Sequence, residues 1–110
     1  NRWQEIPSRF RKMKAPVRVL IDNKTSTNFS IIEINCKNSP GVLHVLTKSF
    51  SELGMQVNTA TISTFGNRIE DIFYVNDLFG QKIKDNKKIS EIKSLILRNL
   101  KEVDPANEMV

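Results

Sequence analysis

The sequence predicts an α+β fold, a two-layer sandwich in which a four-stranded antiparallel sheet carries two helices on one face. Three observations lead there. Residues 17–21, 29–37, 55–65 and 68–77 are rich in β-branched and aromatic residues, as strands are. Two other stretches, 42–53 and 89–100, space their apolar residues at the helical period. The length of 110 residues suits one domain with one core, and no apolar run approaches the roughly 18 residues that span a bilayer.

The first strand follows Pro16 and sets Val17, Val19 and Ile21 on one face. A polar stretch at 22–28 turns the chain into the second strand, with Ile32, Ile34 and Cys36 on one side and Glu33, Asn35 and Lys37 on the other. Asn38-Ser39-Pro40-Gly41 then opens a helix, with Ser39 expected at the N-cap and Pro40 at the first helical position, where no amide donor is missed. Val42, Leu46, Ser49, Phe50 and Leu53 form its buried stripe, opposite Lys48, Ser51 and Glu52. Gly54 suits a left-handed stop.

In the third strand the apolar phase shifts between Val57 and Ala60, which predicts a bulge or a strand packed on both faces. Gly66-Asn67 supplies a hairpin turn. The returning strand has Phe73 and Val75 on one face and Ile72 and Tyr74 on the other. Two helices cover only one side of a sheet, so the Ile72 and Tyr74 face is expected to meet another sheet or domain. Asp85 or Asn86 caps the second helix, whose stripe is Ile89, Ile92, Leu95, Ile96 and Leu100, and Asp104-Pro105 ends it. The chain divides into a basic arm or linker at 1–16, a domain at 17–103 and a tail at 104–110.

From residue 29 onward the order βαββα lacks only the last strand of the ferredoxin-like βαββαβ arrangement. That strand lies antiparallel beside the first, where a hairpin from residues 17–21 places its own strand. A permuted ferredoxin-like sheet is therefore expected, its N-terminal strand replacing the usual last one.

Charge excludes one class of partner. Residues 1–18 carry six of the 17 basic residues and one acid, and the remaining 92 carry 11 of each sign, so the net charge of +5 belongs to the arm. A neutral domain, with Trp3 and Phe10 too sparse for a stacking platform, argues against nucleic acid. The arm lacks the pattern of a secretory signal, so a cytoplasmic location without membrane contact is expected. The lone Cys36 reads as a buried thiol, and His44 as a solvated helix position. No cysteine and histidine cluster, Gly-rich phosphate loop or logical carboxylate pair appears, since Glu70 and Asp71 point to opposite strand faces. No metal, cofactor or catalysis is expected of this segment.

Asn35-Cys36-Lys37-Asn38-Ser39-Pro40-Gly41-Val42-Leu43 resembles the Asp-x-Pro-Gly-x-Leu turn of ACT domains, with Asn38 where an acidic residue is common. The resemblance sharpens at Val17-Arg18-Val19-Leu20-Ile21-Asp22-Asn23, at Thr61-Ile62-Ser63-Thr64-Phe65-Gly66 and at Asp71-Ile72-Phe73-Tyr74-Val75-Asn76-Asp77-Leu78-Phe79-Gly80. Together these are similar to the final ACT domain of the uridylyltransferase and uridylyl-removing enzymes of nitrogen regulation. That resemblance implies an allosteric, glutamine-sensing module paired with another ACT domain, as a homodimer or within a parent chain. A free amino acid needs amide donors for its carboxylate and acceptors for its ammonium group. Gly41 and Val42 offer amides at a helix start and Asn38 an acceptor, although a plain helix cap reads the same way locally. The resemblance implies a site at Asn38, Ser39, Pro40, Gly41, Val42 and Leu43, completed by Gln56 of a paired domain. The alternative is an ACT-type interaction domain without a ligand.

Overall fold

A computed structural model describes residues 17–103. The elements run β1 (Arg18–Asp22), β2 (Ser30–Lys37), α1 (Val42–Glu52), β3 (Met55–Phe65), β4 (Arg68–Asp77) and α2 (Asn86–Val103). The sheet order is β1-β2-β4-β3, with every neighbouring pair antiparallel. β1 pairs with β2 from Arg18 opposite Asn35 to Asp22 opposite Ile31, so it occupies the position that the last strand holds in the ferredoxin-like arrangement. This is the expected ferredoxin-like arrangement. The basic arm and the tail, with Trp3, Phe10 and the Asp104-Pro105 stop, lie outside the described residues.

Alternation along the strands puts Val19, Ile32, Ile34, Cys36, Ile69, Phe73 and Val75 under the helices, all buried. The helices close over them with Leu46, Phe50, Ile92, Ile96 and Leu100. Phe50 of α1 meets Phe73 of β4 edge-to-face, ring centroids 4.8 Å apart, and this pair joins the two layers. The helices are also tied to each other: Ser49 Oγ donates to the Val45 carbonyl (2.7 Å) and accepts from Asn99 Nδ2 (2.9 Å), which satisfies a fully buried hydroxyl.

β3 shows the expected bulge, a register shift between Val57 and Thr59. At the end of the sheet where β2 begins, Ser30 Oγ donates to Asn23 Oδ1 (2.5 Å) and accepts from the Ile83 amide (2.9 Å). Lys82 Nζ donates to the carbonyls of Asn23 and Ser26, both at 2.6 Å. The β1–β2 and β4–α2 loops are thereby locked together. Asp85 Oδ1 accepts from the Lys87 amide (3.3 Å), which selects Asp85 as the α2 cap.

Candidate ligand turn and pairing edge

Gly41 holds φ of +85°, a left-handed conformation that glycine adopts without cost, and it forms the N-cap of α1 with no side-chain hydrogen bond. The expected Ser39 cap and Pro40 helical start are therefore corrected. The left-handed glycine lets the chain turn after Pro40, and α1 begins at Val42. The Ser39 carbonyl accepts from the Val42 amide (3.2 Å), and the Gly41 carbonyl from the Val45 amide (3.0 Å). Val42 thus offers no spare amide. Helix geometry leaves Leu43 and His44 with amides lacking an intrahelical acceptor, at the end where the dipole favours an anion.

Of the six turn residues, Asn38, Pro40, Gly41 and Leu43 are exposed, Ser39 is half-buried, and Val42 is buried in the core. Val42 therefore anchors the turn and does not line it. Space above Gly41 is open, with no atom within 4 Å of the position a Cβ would take. The turn is fastened from the side by the Asn38 amide, which donates to the Asn67 carbonyl at 2.6 Å.

Gln56 lies elsewhere in the same domain. It pairs with Asn76 near the start of β3, whereas the turn follows Lys37, which pairs with Arg68 opposite Phe65 at the far end. Nine strand positions separate Gln56 from Phe65, about 30 Å. Gln56 Nε2 instead donates weakly to the Leu78 carbonyl (3.5 Å). Only a Gln56 from a second domain can join this turn.

The sequence reading missed what β3 presents. Its 11 residues contain no charge, and from Gln56 to Phe65 all are exposed but Ser63. Long edge strands are ordinarily protected by charges, and the shorter opposite edge, β1, carries Arg18 and Asp22. On the helix side of β3, Val57 and Ile62 remain 40 and 48 % exposed because the chain's own helices do not reach over them. The surplus apolar surface expected at Ile72 and Tyr74 is smaller: both are half-buried, and Tyr74 meets Phe29 edge-on at 6.3 Å. The signal for an edge was present in the uncharged run itself.

Beyond the start of β3 stands a second exposed apolar feature. Asp77 Oδ1 accepts from the amides of Phe79 and Gln81, both at 2.9 Å, and the Asp77 amide donates to the Gln81 carbonyl (2.8 Å). This bonded turn displays Leu78 and Phe79, with Phe79 89 % exposed. Asp71, in phase with Ile69 and Phe73, is buried with Oδ1 unpartnered. Desolvation holds its carboxyl above the usual range, opposed by the Ser63 amide. At the other extreme, Asp22 is held below that range by the Thr25 hydroxyl and the amides of Lys24 and Thr25. Cys36 is buried and His44 exposed, as expected. Among the described residues no group of three acidic, His or Cys side chains is placed to hold a metal, and no helix is long and apolar enough to cross a membrane.

The family model for the ACR family N-terminal ACT domain matches residues 25–102, from the β1–β2 loop to the last turn of α2. The chain belongs to the ACT domain family. This ACT domain is similar to segments of proteins named bifunctional uridylyltransferase/uridylyl-removing enzyme. Identity is 41% over 99 residues to that of Azospirillum brasilense, covering 90% of this chain and 10% of the relative. It is 37% over 91 residues to that of Rhodospirillum rubrum (83% and 10%), and 35% over 104 residues to that of Bradyrhizobium diazoefficiens (92% and 11%). The chain spans about a tenth of the length of these relatives.

Proposed function

We propose that this ACT domain is an allosteric sensor of a free amino acid, glutamine first, within a uridylyltransferase/uridylyl-removing enzyme. It is not itself the catalytic part. The observation that carries the reading is the split site: an exposed helix-start turn at one end of β3 and Gln56 at the other. An antiparallel partner on the free edge of β3, related by a two-fold axis near its middle, brings its own Gln56 to the Thr64 and Phe65 end, beside the turn. The amides of Leu43 and His44 then face the ligand carboxylate, with the Asn38 side chain and the partner's Gln56 available to its ammonium and amide groups. Binding at such a junction favours one arrangement of the pair, which is how a ligand signals to attached domains.

The uncharged β3 edge alone would also suit a domain that pairs without a ligand. Calorimetric titration of the 110-residue chain with glutamine separates the readings. Saturable heat at one site per domain, weakened by Asn38→Ala, supports the sensor. No heat with glutamine or any other amino acid leaves the interaction domain.

A further inference from the structure

The Leu78–Phe79 turn is unexplained by the fold. Phe79 is 89 % exposed and Leu78 63 %, yet the turn that displays them is fixed by bonds to both the backbone and the carboxylate of Asp77. Presenting a large aromatic ring to water on an ordered support gains nothing for an isolated domain, and aromatic residues, Phe among them, are enriched at protein interfaces. Its location supplies the occupant. A Cβ on Gly54 would meet Leu78 Cδ1 at 3.6 Å, and Gln56 reaches the Leu78 carbonyl, so the knob sits where α1 ends and β3 begins. The same two-fold pairing that carries Gln56 to the partner's helix-start turn carries Leu78 and Phe79 with it. Waiting there is Leu43, 48 % exposed at the first turn of the partner's α1.

We propose that Leu78 and Phe79 of one domain close over the helix-start turn of a second copy, against Leu43, as the apolar lid of its amino-acid site. The proposal rests on the paired-sensor reading. It adds that each site is sealed by a ring from the other domain, so that ligand binding and pairing reinforce each other. Excluding water over the amides of Leu43 and His44 strengthens their bonds to a carboxylate, because charge interactions grow as the local dielectric falls. The lid also sets ligand size, because a large aromatic amino acid competes with Phe79 for the same space.

A cross-link tests the contact independently of any ligand. Within one chain Leu43 and Phe79 stand at opposite ends of α1, whose 11 residues span about 16 Å, far beyond disulfide reach. Cys36 is fully buried and does not compete. The double variant Leu43→Cys/Phe79→Cys should therefore oxidise to a covalent dimer whose mapped bond joins 43 to 79 between chains. Glutamine titration of Phe79→Ser should show about a tenfold loss of affinity, restored largely by Phe79→Leu, with the unfolding free energy of the monomer unchanged because the ring is exposed there. A chain that sediments as a dimer but gives no 43–79 bond overturns the lid and leaves edge pairing standing. A 43–79 bond with glutamine affinity unaltered in Phe79→Ser keeps the contact but overturns the lid role. A strictly monomeric chain overturns the lid together with the pairing on which it rests.

Discussion

The Asn38 amide donates to the Asn67 carbonyl at 2.6 Å, so the turn that starts α1 is fastened to the hairpin turn joining β3 to β4. Two loops 29 positions apart in sequence are thus bonded together, and the geometry of the proposed ligand turn depends on Asn67, a residue outside it.

Gly66 makes that dependence measurable. Its φ of +61° is left-handed, and a side chain there costs about 1–2 kcal/mol. Gly66→Ala should lower the stability of the domain by roughly that amount in a denaturant titration, and weaken glutamine binding by displacing Asn67. Gly66→Asn, better tolerated in this conformation, should lose less of both. Binding unaffected by Gly66→Ala despite its lower stability would uncouple the two turns.

Gly41 separates backbone strain from blocked access. Because φ is +85°, Gly41→Val strains the helix start and should lose stability as well as binding, so it cannot alone distinguish a binding turn from a plain cap. Gly41→Asn keeps the left-handed backbone and projects its side chain into the open space above the turn. It should melt within a few degrees of the parent yet lose glutamine affinity. Equal losses of stability and binding would favour the cap.

Asp71 gives the domain a pH dependence of unusual sign. Burial raises its carboxyl pKa above the ordinary value of 3.8, so the folded state favours the protonated form. Below pH 3.8 both folded and unfolded chains hold the proton and nothing is lost. As pH rises from 3.8 toward the raised native value, only the unfolded chain ionises and stability falls; above that value the loss is complete and constant. Asp71→Asn should therefore raise the melting temperature at pH 7, and the gain should vanish near pH 3. A variant less stable than the parent at pH 7 would mean that the charge is compensated.

The fold was largely legible because its signals were local and mutually consistent. Alternation around Ile32, Ile34 and Cys36, helical spacing from Val42 to Leu53, and the phase shift after Val57 each correspond to an observed element. The permuted β1 followed from topology alone. The site was less legible. Ser-Pro-Gly has the composition of a side-chain cap, but glycine's left-handed freedom moved the helix start to Val42, which no residue preference announces. The position of Gln56 relative to the turn depended on strand register. Exposure of Val57 and Ile62 depended on how far the helices reach across the sheet, a tertiary property that periodicity cannot express.

Ile62 offers the direct test of the free edge. It faces the helix side of β3 opposite Asp71, is 48 % exposed, and lies two positions from the middle of the uncharged strand, inside the junction that the proposed two-fold pairing would form. A lysine there puts a charge on the free edge that pairing desolvates, while in the monomer its ammonium group remains in water. Ile62→Lys should therefore change the unfolding free energy of the monomer by no more than about 0.5–1 kcal/mol. Sedimentation equilibrium should show association weakened at least about tenfold, since desolvating an unpaired charge costs upwards of about 1.4 kcal/mol. Tyr74→Lys, on the other face of the sheet, should leave association nearly unchanged. If Tyr74→Lys dissociates the pair and Ile62→Lys does not, the interface lies on the open face around Ile72 and Tyr74, and the turn and Gln56 cannot form one site.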